Sequence, residues 1–98
     1  MRAALPTLLH AVAESKLTSL GLAGARLDAA QVESLAEALP GLPLVALDLR
    51  FNGRGLREGF DVLVAGAKES KLRALDLRGN GLNHNQVQAT LAFAHVLE

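Results

Sequence analysis

The stretch ESKLTSLGLAG at residues 14–24 returns as ESKLRALDLRG at residues 69–79. Leu17, Leu20, Leu22 and Leu27 keep the spacing of Leu72, Leu75, Leu77 and Leu82, a shift of 55 positions. Leu44, Leu47 and Leu49 lie between them at a shift of 27, so the unit recurs after 27 and then 28 residues. No other property of the chain restricts its fold as much. A unit of this size cannot bury its own apolar face and must stack on a neighbour.

The second half of each unit repeats as well. Val32, Leu35 and Leu39 fall on one helical stripe, and Leu5, Leu8 and Val12 repeat those offsets 27 residues earlier. Asp28 with Gln31, and Asn83 with Gln86, have the spacing of a capping box at a helix start. Beyond Asn83 the apolar positions Val87, Leu91 and Ala94 predict a helix running toward the C-terminus. The first residues therefore read as the helical half of a unit whose strand is missing, with Pro6 in the first turn, where its lack of an N–H costs nothing.

The pattern L-x-x-L-x-L-x-x-N-x-L is complete in LRALDLRGNGL, residues 72–82. LVALDLRFNGRGL, residues 44–56, follows it up to Asn52 and then runs two residues longer to Leu56. On these motifs, and over essentially its whole length, the chain resembles leucine-rich-repeat proteins of the long-repeat, ribonuclease-inhibitor-like subclass. The resemblance implies an α/β solenoid, with short parallel β-strands on the concave side and α-helices on the convex side. It also implies an asparagine ladder serving the loop backbone, broken in the first unit, where Ala25 stands in place of Asn52 and Asn80. One domain then spans 1–98: a helical half-repeat at 1–16 and repeats at 17–43, 44–71 and 72–98. The middle unit departs from the pattern. NGRGLREGFDVLVAG is rich in glycine, and its helix is expected to be distorted or to start late.

Strands alternate their faces, so the repeated leucines point into the core and the residues between them face solvent. Those outward residues differ between units. The first offers Ser19, Gly21 and Ala23, the second Ala46, Asp48 and Arg50, the third Ala74, Asp76 and Arg78. Stacking sets Asp48 beside Asp76 and Arg50 beside Arg78, roughly 4.8 Å apart. Such a grid can grip a partner's carboxylate or phosphate through paired guanidiniums. It can equally neutralise itself as a solvated face worth little. Asp48, Arg50, Asp76 and Arg78, with Arg73, are the candidate partner-binding residues.

Composition excludes several other classes. Lys+Arg and Asp+Glu balance at 10 each, so the chain lacks the basic footprint of a nucleic-acid binder. Arg50, Arg54, Arg57, Arg73 and Arg78 could form a local patch for marginal RNA contact, but Asp48, Glu58 and Asp76 interleave with them. No cysteine is present, and His10, His84 and His95 have no ligand spacing, so no metal site is expected. The serines lack a nucleophile-elbow context and no glycine loop has the form of a phosphate cradle. We therefore expect no catalytic residues, no cofactor and no enzyme. No apolar run is long enough to span a bilayer. The N-terminal MRAALPTLLHAVA is a poor secretory signal with weak transit-peptide character, which points to an intracellular chain, cytoplasmic or organellar.

The expected function is a non-enzymatic protein–protein interaction module, a scaffold or assembly subunit. An alternative is a structural subunit of a large complex such as a ribosome or cytoskeletal machine. A weaker one, implied by the resemblance alone, is regulation of a nucleotide-binding protein. Both ends look uncapped: the first strand is uncharged, and Phe93, Val96 and Leu97 are apolar near the C-terminus. Self-association through these ends is a third route to a partner.

Overall fold

A computed structural model describes residues 5–91 and 95–97, with side chains through residue 88. The elements run α1 (Leu5–Ala13), β1 (Ser19–Gly21), α2 (Ala29–Ala38), a 3-10 turn (Leu39–Gly41) and β2 (Ala46–Asp48). They continue as α3 (Arg54–Glu58), α4 (Phe60–Lys68), β3 (Ala74–Asp76), α5 (His84–Leu91) and β4 (His95–Leu97). The strands form one parallel sheet in the order β1-β2-β3-β4. Its register sets Leu20 beside Leu47 beside Leu75, and Asp48 beside Asp76. The fold is thus a compact α/β arrangement with a Cα radius of gyration of 12.0 Å, close to the ~13 Å expected for about 100 residues. Among the described residues no helix is long and apolar enough to cross a membrane.

The repeated leucines form the core, as their spacing predicts. Leu22, Leu44, Leu47, Leu49, Leu72, Leu75 and Leu77 are all buried, in one cluster with Leu35 and Leu39 of the first helical half and Phe60 and Leu63 of α4. Leu20 and Leu82 are only half-buried against this cluster, and Leu17 is 44% exposed, whereas Leu44 and Leu72 at the same place are 1% and 0% exposed. Leu44 and Leu72 precede strands that pair with an earlier strand, whereas Leu17 precedes β1, the first strand in the sheet order among the described residues.

The repeated ESKL also keeps its serine for a reason. Ser15 Oγ donates to the Val12 carbonyl at 2.8 Å and accepts the Leu17 N–H at 3.1 Å. Ser70 does the same with Ala67 at 2.6 Å and Leu72 at 3.2 Å. Each hydroxyl adds a second hydrogen bond to a last-turn carbonyl that already accepts the serine's own N–H at 3.1 Å, and so turns the chain into the next strand. At the helix starts, both expected capping boxes form. Asp28 and Gln31 exchange bonds of 2.8 and 3.0 Å, and Asn83 and Gln86 exchange two of 2.9 Å.

One expectation needs correction. The described part of the C-terminal helix is His84–Leu91, Ala94 lies outside the described residues, and His95–Leu97 form β4, paired in parallel with Ala74–Asp76. The backbone N–H and C=O groups along the far side of β3 need partners, and a strand supplies them where a continuing helix cannot. The side chains of Phe93, Val96 and Leu97 lie outside the described residues. In the middle unit the helix is distorted, as expected, but it starts early, at Arg54, and is interrupted at Gly59.

The glycines of that unit have a further role. A Cβ on Gly55 would strike the Leu27 carbonyl oxygen, one on Gly66 the Ala36 carbonyl oxygen, and one on Gly59 would stand 2.8 Å from Val32 Cγ1. Residues 55, 59 and 66 therefore form a bare stripe from α3 to α4, against which the backbone at Leu27, the Val32 side chain and the backbone at Ala36 lie in turn.

Candidate functional site

Three short strands place small side chains and paired charges on the sheet face opposite the leucines. Ser19, Ala46 and Ala74 sit side by side in register, and Asp48 and Asp76 follow two residues on. Together with Leu47 and Leu75 they line a shallow depression of ≈ 200 Å³. Arg50 and Arg78 pair with the two aspartates that line it.

Each arginine is held by the aspartate two residues before it. Arg50 Nε donates to Asp48 Oδ1 at 3.0 Å and Nη2 to Oδ2 at 2.9 Å. Arg78 repeats this on Asp76 at 3.0 and 2.8 Å. The backbone N–H of each arginine also bonds its own aspartate, at 3.1 and 3.2 Å. Arg50 Nε further approaches Asp76 Oδ2 at 3.6 Å, which links the two strands. This alternation keeps Asp48 and Asp76, neighbours in the register, from facing each other without a cation.

The charges shift accordingly. The Arg50 guanidinium, through its side-chain hydrogen bonds, holds the Asp48 carboxyl below the ordinary carboxylate range, against partial burial and the charge of Asp76. Arg78 lowers Asp76 in the same way, again against burial. Asp48 raises Arg50, and Asp76 raises Arg78. Carboxyls lowered in the folded chain contribute stability above their unfolded value, near pH 4, and lose it as pH falls through the folded values. The thermal midpoint of the wild type should therefore exceed that of the Asp48→Asn/Asp76→Asn variant at pH 7. The gap should close in acid and shrink in 1 M NaCl. Melts from pH 7 to pH 2 check this.

The other arginines do not join the face. Arg73 is exposed on the opposite, N-terminal side of β3 and donates to the Leu72 carbonyl at 2.9 Å. Arg54 pairs with Glu58 one helical turn away, and Arg57 donates to the Asn80 carbonyl at 2.7 Å. Among the described residues no group of three or more His, Asp or Glu side chains is placed to hold a metal. A larger open hollow of ≈ 520 Å³ lies elsewhere, between the start of α2 and α3, lined by Arg26, Asp28, Arg54 and Glu58.

Comparison with known protein families, curated proteins and solved structures gave no match.

Sequence reasoning missed Phe51. It follows Arg50 directly, is 63% exposed and adopts φ 56, in the left-handed region. Aligned on the period, its column holds Gly24 and Gly79, with φ 64 and 75. A second column, Arg26, Gly53 and Gly81, has φ 55, 70 and 69. Each unit thus makes the same turn, with two left-handed residues flanking Ala25, Asn52 or Asn80. Glycine adopts that conformation freely, while a bulky residue there costs on the order of 1–3 kcal/mol. The Phe51 ring fills the space that a side chain on Gly79 would need, and its N–H donates to the Arg78 carbonyl at 3.1 Å. Phe51→Gly should therefore leave the urea midpoint unchanged or raise it, even though it deletes a large apolar side chain. A fall of more than about 1 kcal/mol would show that the ring's packing outweighs the strain.

Proposed function

We propose that this chain is a leucine-rich-repeat module of the long-repeat kind, a solenoid that binds a protein partner on its concave face as a scaffold or assembly subunit, without enzymatic chemistry. The observation that carries the reading is the pair of Asp/Arg ladders. They sit on adjacent strands at the same register, with small residues beside them, while the leucines of the same strands are spent on the core. The repeated left-handed turns and the asparagine hydrogen bonds at a 27–28-residue period support the repeat assignment. Fold analogy alone does not select a function, so the face itself must be tested.

A second reading, a structural subunit wedged into a large complex, draws on the edge. β1 is uncharged, and Leu17 beside it is exposed. Capture of the tagged chain from its source cells, followed by sizing, discriminates between the two. A discrete complex with one or a few protein partners supports the interaction module. Recovery only with a particle of megadalton size supports the structural subunit. A free monomer pool with no bound protein contradicts both.

A further inference from the structure

We propose that the concave face takes an extended acidic–aromatic protein segment: a carboxylate docks on the open edges of Arg50 and Arg78, and a large apolar or aromatic side chain beside it packs on Phe51. The inference rests on the protein-binding reading above and names the partner's chemistry.

Three observations carry it. A guanidinium has two edges that can grip a carboxylate in bidentate fashion. In both arginines the Nε/Nη2 edge is taken by the neighbouring aspartate, and Nη1 has no hydrogen bond among the described residues. Each arginine is thus held in place by one edge and offers the other. The guanidiniums also stand outermost. The side chains of Arg50 and Arg78 are 39% and 50% exposed, while those of Asp48 and Asp76 are 28% and 14% exposed. An approaching chain meets cations first, and a basic segment would find the carboxylates already covered.

Phe51 is the third. An aromatic with a left-handed backbone stands where the sister units carry glycine, and it lies exposed next to Arg50, with its ring over Gly79, next to Arg78. Aromatic anchors beside arginines are the usual hot spots of interfaces. The small residues Ser19, Ala46 and Ala74 let a partner backbone come close to the sheet. The same Arg edges could bind a phosphate, but a chain with no net charge lacks the field that nucleic-acid binding relies on.

The test uses the 98-residue chain as bait for a random peptide display library, with selected peptides resynthesised and titrated by calorimetry. Selected peptides should share an Asp or Glu within about two residues of an aromatic or large aliphatic side chain. Changing that acid to its amide should weaken binding to the wild type about tenfold, the effect of one charge-assisted pair. It should change nothing for the Arg50→Gln/Arg78→Gln variant. Phe51→Gly should lose a similar factor while melting no lower than the wild type. If the arginine variant does not fold, the acid–amide comparison on the wild type still decides.

Peptides with no acidic residue that nevertheless fail to bind an Asp48→Asn/Arg50→Gln/Asp76→Asn/Arg78→Gln variant would overturn the acidic–aromatic assignment and leave the protein-binding face standing. Peptides retained in full by that variant, or no binding peptides at all, would overturn both. Displacement of the peptides by single-stranded RNA at equal concentration would overturn the protein segment as occupant.

Discussion

Asn80→Ala should destabilise the chain by about 3–5 kcal/mol, enough to unfold a large fraction of a domain this small. Asn80 is 1% exposed and its amide serves two units at once. Oδ1 accepts the backbone N–H groups of Asn52 at 2.6 Å and Gly53 at 2.8 Å. Nδ2 donates to the carbonyls of Leu49 and Leu77, both at 2.9 Å. Alanine leaves the two N–H groups and the Leu77 carbonyl without the asparagine, and each buried group stripped of its partner costs roughly 1–3 kcal/mol. Leu49 is partly protected, because Asn52 Nδ2 also donates to its carbonyl. Asn52→Ala should cost less, since the bond from the Leu27 N–H to Asn52 Oδ1 is long, at 3.3 Å. Urea unfolding of the two variants checks both the size and the order. A loss under about 1 kcal/mol for Asn80→Ala would mean that the loops satisfy their backbones in another way.

Gly66→Ala should cost about 2–3 kcal/mol, opposite in sign to what helix propensity predicts. Gly66 lies in the last turns of α4, where an alanine normally stabilises by up to about 1 kcal/mol. Here its methyl would occupy the place of the Ala36 carbonyl oxygen, a backbone atom that cannot rotate away. The helix must then lift off α2 and open gaps beside Leu63 and Ala67, which are buried. Gly41→Ala is the matched control, since nothing lies within 4 Å of a Cβ there. A thermal melt should place Gly41→Ala at or above the wild type and Gly66→Ala well below it.

These two sites show which parts of the structure local pattern reveals. The strand leucines, Pro6 and both capping boxes follow from spacing alone, because each depends on residues within one turn or one strand. In α1, by contrast, Leu9 is buried and the expected Leu8 is only half-buried. The glycines of the middle unit resemble loop composition, and only the approach of α2 gives them another meaning. β4 escaped because Val87, Leu91 and Ala94 continue a helical stripe, while the open edge of β3 that favours a strand is a tertiary property. Leu17 carries the same letter as Leu44 and Leu72, yet exposure depends on what precedes it in space.

The face was partly legible. Asp48, Arg50, Asp76 and Arg78 fall on the outward positions of aligned strands, and their register follows from the period. The Nε/Nη2 pairing that leaves each Nη1 without a partner among the described residues does not. Phe51 could have been found: aligning the units sets it in a column with Gly24 and Gly79, and an aromatic in a glycine column signals a left-handed backbone under strain. Arg73 shared only its residue type with the site, since its strand position puts it at the far end of β3.

The most direct measurement takes a partner captured by the wild-type chain and titrates it against an Asp48→Asn/Arg50→Gln/Asp76→Asn/Arg78→Gln variant whose circular dichroism matches the wild type. All four side chains are partly exposed and outside the leucine core, so the fold should survive. The account predicts at least a hundredfold weaker binding, about 2.7 kcal/mol. Affinity equal to the wild type's would contradict it and move the interface to the edge beside Leu17 or to the helices.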